Sequence, residues 1–147
     1  MKFLCDSMFG KLSKKLRMAG YDTLYVQSYE RFGMVETAIA QDRVLITGDS
    51  AVILPPRLLL YMREKDPLTQ FKNVREHFNL TAENAFTRCI SCNGVLEKTE
   101  KEKIKNILPP KVSALFFSFT RCTGCGKVFW QGTHWEKMKI KLKETGF

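Results

Sequence analysis

The chain has 147 residues and a formal net charge of +9, a length that suits one ordinary domain or a small domain with a metal-stapled module. Hydrophobic residues at 44% and aromatics at 12% supply a core, and no apolar run reaches the roughly 18–20 residues of a membrane span, so no membrane partner is expected. Residues 1–80 carry 12 basic and 9 acidic groups, net +3, and residues 81–147 carry 12 and 6, net +6. The second half is therefore the stronger attraction for a polyanion, most often a nucleic acid. The opening run meets an acid at Asp6, unlike the apolar stretch of a secretory signal. A soluble, cytoplasmic protein is expected.

Phe3-Leu4-Cys5 is a short apolar run ending at Asp6, the pattern of a buried parallel strand. From Met8 to Ala19 the apolar residues fall at helical spacing, and Gly20 marks the stop. Thr23 to Val26 predicts a second strand, Met34 to Gln41 a short helix, and Val44 to Thr47 a third strand before Gly48-Asp49. Leu58 to Met62 predicts a fourth strand, and Asp66-Pro67 opens a helix running to about Phe78. The order predicts an α/β fold: a small parallel sheet between helical layers, over residues 1–80. Residues 80–87 form a brief linker, and residues 81–147 change to cysteine, lysine and aromatics.

Ligands of open α/β sheets sit beyond the carboxyl ends of the strands. Asp6 and Asp49 close two strands there, and Glu36 approaches from the second helix. Converging carboxylates repel unless a cation lies between them, and hard oxygen donors suit Mg²⁺ or Mn²⁺. Such a site activates water for attack on a phosphodiester; the bland alternative is three loop ends and helix caps. Lys11, Lys14 and Arg17 follow Asp6 without acidic partners one turn away, placing them to grip flanking phosphates or simply to form a solvated face.

Five cysteines include the pairs Cys89-x-x-Cys92 and Cys122-x-x-Cys125. Four thiolates so arranged predict one structural Zn²⁺ in a closed site with no open catalytic position. The 29 residues between the pairs exceed the usual ribbon spacer and predict an inserted hairpin. Ala114 to Phe119 and Lys127 to Trp130 are the expected ribbon strands, with Asn93-Gly94 and Gly126 at the knuckle turns. Trp135 and His134 are candidate RNA contacts, whereas Trp130 is expected to pack the ribbon against the first domain. Cys5, alone in an apolar run, is expected to be a buried small hydrophobe.

The stretches from Phe3 to Leu12 and from Leu16 to Thr23 resemble the opening of the Mut-seven C-terminal RNase domain family, a member of the PIN-like nucleases. Val44 to Asp49 resembles its third-strand motif, and Val128 to Trp135 its ending. The resemblance implies a PIN-like three-layer α/β/α domain with a C-terminal zinc ribbon, cleaving RNA with divalent metal held by acids. Asp6 and Asp49 carry over, and Glu36 after them. Where many PIN domains place a further acid, Ser50, Ala51 and Val52 stand here, leaving Asp42 and Asp66 as substitutes. Pairing into a homodimer is also in keeping with the family. Two other readings remain: a non-catalytic RNA-binding protein with a decayed acidic site, and a zinc-ribbon adaptor for a protein partner.

Overall fold

A computed structural model of the chain describes all 147 residues. Its elements run β1 (Lys2–Cys5), α1 (Gly10–Met18), β2 (Asp22–Tyr25), α2 (Arg31–Gln41), β3 (Val44–Thr47), β4 (Leu59–Tyr61) and α3 (Pro67–Phe78). The C-terminal part adds β5 (Leu96–Thr99), α4 (Lys101–Ile104), α5 (Pro110–Leu115), β6 (Phe119–Cys122), β7 (Val128–Trp130) and α6 (Thr133–Lys143).

The first four strands form an all-parallel sheet in the order β2-β1-β3-β4. From β1 the chain steps to one side for β2, then back past β1 for β3. Right-handed crossovers in opposite directions put α1 and α2 on opposite faces. The pleat sorts the strand residues accordingly. Phe3, Cys5, Val44 and Ile46 pack with Leu12 and Leu16 of α1 and with Phe71 and Val74 of α3. Leu4 and Leu45 pack with Met34 and Ala38 of α2 on the other face. Each fully buried Phe or Leu here contributes about 1.5–3 kcal/mol as an upper estimate. The three-layer arrangement is the one expected.

Helix starts follow their caps. Asp6 accepts from Met8 N–H at 2.8 Å and opens a short 3-10 turn, Ser7–Phe9, ahead of α1. The second helix begins at Arg31, three residues before the expected Met34, because the Glu30 carboxylate accepts the N–H groups of Phe32 (3.0 Å) and Gly33 (2.5 Å). Phe32 is exposed and falls off the apolar stripe, so periodicity missed this turn. Asp66 caps α3 as expected, accepting from Thr69 N–H at 2.8 Å.

The second sheet is antiparallel, in the order β5-β6-β7. The strand expected over Ala114 to Phe119 is absent: Pro109-Pro110 starts α5, and β6 begins only at Phe119. Pro fixes the dihedrals of a first helical turn, and Val112 and Phe116 then pack on a small core of Ile104, Leu108 and Phe119. The spacer between the cysteine pairs is the expected inserted hairpin, β5 paired antiparallel with β6, and its long connection is a helical excursion through α4 and α5. The last helix, α6, was not anticipated. It returns Leu142 to the core that holds Phe3 and Ile46, so the C-terminal part is packed onto the first layer as well as tethered to it.

Candidate active site and metal centre

Strand order reverses at β1 and β3, and a crevice opens there beyond the carboxyl ends. Asp6 and Asp49 meet in it. Both line one hollow of about 390 Å³ with Ser7, Met8, Tyr29, Arg31 and Gly48. The Asp6 carboxylate is 1% exposed. Besides Met8 N–H it accepts from the Thr47 hydroxyl at 2.7 Å and Gly48 N–H at 3.2 Å. All three donors are neutral, and no basic side chain forms an ion pair with it. Asp49 is held differently. Tyr29 donates its hydroxyl to it, Ala51 its N–H at 2.9 Å, and Arg31 its Nε at 2.6 Å. These donors hold its carboxyl well below the usual range, at about 2. The Thr47 hydroxyl also accepts from Asp49 N–H at 3.1 Å, so one side chain fixes both acids.

The other predicted acids are elsewhere. Glu36 is exposed on α2 and does not line the hollow, so Asp6, Glu36 and Asp49 do not close into one cluster of ligand atoms. Asp42 pairs with Arg57 just before β3, at the opposite end of the strand from Asp49. Asp66 is committed to its cap. Sequence reasoning missed Thr47, Tyr29 and Arg31. Thr47 lay two residues from a candidate acid, a local signal; Tyr29 of the β2–α2 loop and Arg31, the first residue of α2, reach the crevice through tertiary folding and left none.

Lys11 and Lys14 are exposed along α1, whose start adjoins Asp6. Arg17 is not: it is 7% exposed and faces inward. Its Nε donates to Thr23 O at 2.8 Å, and its Nη1 to Ile90 O and Ser91 O at 3.1 and 3.2 Å. The expected phosphate contact is therefore an internal strut. A buried guanidinium needs carbonyl partners, and the chain between Cys89 and Cys92 provides two of them.

All four paired cysteines converge, their sulfurs within 4.8 Å of one another. Cys89–Cys125 and Cys92–Cys122 stand 3.8 and 3.3 Å apart. A tetrahedral site with Zn–S of about 2.3 Å has sulfur–sulfur edges of about 3.8 Å, whereas a disulfide closes to about 2.05 Å. The donor set fits a tetrahedral metal ion. Backbone N–H groups of Gly94 and Gly124 point at the sulfurs of Cys92 and Cys122, at 3.4 and 3.3 Å. Burial raises the Cys122 thiol, but Cys125 N–H, the Cys92 thiol and Gly124 N–H outweigh it and bring it to about 7. Asn93 and Gly126 take the left-handed backbone, with φ of 73° and 75°. Gly94 does not; there the demand is for space, since a Cβ would lie 2.6 Å from the Cys122 sulfur.

The knuckle around Cys92 is docked on the sheet. Asn93 accepts from Thr23 N–H on the open side of β2 at 2.8 Å and donates to Asp22 at 2.8 Å. Asp22 also binds Arg43 at 2.7 Å; burial raises its carboxyl, and Arg43 and Asn93 draw it below the usual range. Cys5 is fully buried, and burial pushes its thiol up, in keeping with a core residue. Trp135 is half-buried with His134 exposed beside it, both on the first turn of α6.

The family model of the Mut7-C RNAse domain matches residues 1–142. Comparison with curated proteins and with solved structures gives no match. The matched span takes in the crevice between β1 and β3 and all four clustered cysteines, and the chain belongs to the Mut7-C RNAse domain family.

Proposed function

We propose that the protein is a divalent-metal-dependent ribonuclease that hydrolyses phosphodiesters, with endonucleolytic action foremost, and that its zinc-bound C-terminal part assists RNA binding. The observation carrying this reading is Asp6: a carboxylate 1% exposed, without an ionic partner, facing the same hollow as Asp49. A buried charge held only by neutral donors is costly, and a cation offsets that cost. The oxygen donors of Asp6 and Asp49 suit Mg²⁺ or Mn²⁺, while Glu36, the third acid the family resemblance implies, lies on α2 outside their hollow. Such a cation supplies a more acidic water and neutralises charge on the phosphodiester. Thr47 fixes both acids in place. Arg31 stands at the rim, where it can turn from Asp49 to a phosphate oxygen, and Lys11 and Lys14 hold neighbouring phosphates. Zn²⁺ is the metal proposed for the four cysteines, with a structural role.

One observation favours a second reading, an RNA-binding protein without catalysis: Asp49 already has a cation, the Arg31 guanidinium at 2.6 Å. The deciding experiment incubates the zinc-loaded protein with labelled single-stranded RNA and a tRNA pool, with and without Mn²⁺ or Mg²⁺. Asp6→Asn, Asp49→Asn and Glu36→Gln are run beside it, with zinc content as a check on folding. Cleavage that needs added metal and falls about 100-fold or more in Asp6→Asn and Asp49→Asn establishes the nuclease. RNA binding without cleavage by any variant, wild type included, establishes the second reading.

A further inference from the structure

Two apolar hollows of about 250 and 500 Å³ lie side by side in the C-terminal part. Phe129, Trp130, Trp135 and Met138 line both, so they form one groove between β7 and α6. None of these four is buried. Phe86 closes one end, its ring 5.5 Å from that of Trp135 at 45°, and His134 stands at the other. Hydrogen-bonding groups of Thr120 and Gln131 edge the first hollow. Cations flank it: Lys139 Nζ lies 4.5 Å from the Trp135 ring centre, and Lys137 and Lys141 are exposed on the same helix.

Flat aromatic walls, polar groups at the edge and lysines at the rim together describe a planar ligand on an anionic backbone. The net charge of +6 over residues 81–147 favours a phosphate chain over an apolar helix, which would gain nothing from those lysines. We infer that this groove takes an unpaired base of single-stranded RNA, stacked on Trp130 and Trp135, while the lysines of α6 hold the flanking phosphates. The inference rests on the RNA-binding part of the function proposed above, and not on the acidic crevice.

Trp130 and Trp135 are the only tryptophans in the chain, so intrinsic fluorescence reports on the groove alone. The full zinc-loaded protein is titrated with an oligouridylate of about ten nucleotides. Beside it run an abasic ribose-phosphate strand of equal length, an RNA duplex and an acidic amphipathic peptide, all without Mg²⁺ or Mn²⁺. The expected result is quenching by the oligouridylate and binding at least about five-fold tighter than the abasic strand. Trp135→Leu, which keeps apolar volume, abolishes that preference, and Trp135→Phe retains most of it, both at full zinc content. Equal affinity for the two strands without quenching overturns the inference and leaves only charge. Quenching by the peptide and not by RNA overturns it in favour of a protein-docking groove. With no divalent metal added, failure here leaves metal-dependent cleavage standing, and an inert crevice leaves the quench standing.

Discussion

Lys14 and Arg17 sit three residues apart on α1, and the fold gives them different work. Lys14 is exposed, while Arg17 lies inside, bonded to Thr23 O, Ile90 O and Ser91 O. Its positive charge also stands beside the thiols of Cys92 and Cys89, where a zinc ion with four thiolates would carry net −2. Removing it leaves three carbonyls unpaired, and bonds to a charged group contribute about 1.5–3 kcal/mol each, not additively. Arg17→Met is therefore expected to lower unfolding free energy by about 3 kcal/mol or more in urea titrations, with the salt dependence of RNA binding unchanged. The double substitution Lys11→Gln, Lys14→Gln should do the reverse. Stability stays within about 0.5 kcal/mol, and the slope of log affinity against log salt falls by about 1.4 if both lysines contact phosphates of a single strand. A double variant that keeps the wild-type slope removes these lysines from the interface.

At the scale of elements, regularity decided what could be anticipated. β1, β3 and α3 were legible because an apolar run or a cap-and-proline pair declares them locally. The Cys-x-x-Cys pairs declared their cluster equally well. Ala114 to Phe119 misled, since a run rich in Phe and Leu suits a strand and a short helix alike, and only Pro109-Pro110 and the packing of Val112 on Ile104 settle it. The acidic crevice was half legible: strand ends placed Asp6 and Asp49, whereas Glu36 depended on where α2 begins, and a Glu cap moved that start by a turn. Within the cysteine knuckles the most constrained position is Gly94, not for its backbone angles but for the Cys122 sulfur 2.6 Å from where a Cβ would stand. Gly94→Ala must push that sulfur out of its tetrahedral place. Substituted with Co²⁺, the wild type should show the intense visible bands of a tetrahedral four-thiolate site; the Ala variant should bind Co²⁺ at least about ten-fold more weakly. Unchanged affinity and spectrum would mean the knuckle yields easily and the close approach carries no cost.

Across the whole molecule, the four-cysteine cluster and the parallel sheet share one junction. The segment from Cys89 to Asn93 accepts two bonds from Arg17, covers Thr23 N–H on the open side of β2 and ties down Asp22. From the far end of the chain, α6 places Leu142 in the core beneath β1 and β3. A ribbon hanging on a linker would lose its fold without metal and leave the sheet as it was. The observed junction predicts otherwise. Without metal, four crowded thiols have nothing to hold them together, Asn93 is no longer fixed, and an edge N–H and the Arg17 guanidinium lose partners inside the first layer. Each buried group left unpaired costs about 1–3 kcal/mol, and a domain of this size shifts its melting temperature by roughly 2–4 °C per kcal/mol. Zinc removal by a chelator should therefore lower the main unfolding transition by about 5 °C or more. It should also raise amide exchange at Thr23 and its β2 neighbours together with the knuckles. Exchange that rises only within residues 89–130, with the main transition in place, would show two independently stable parts. The contacts of Arg17 and Asn93 would then be incidental to the stability of the sheet.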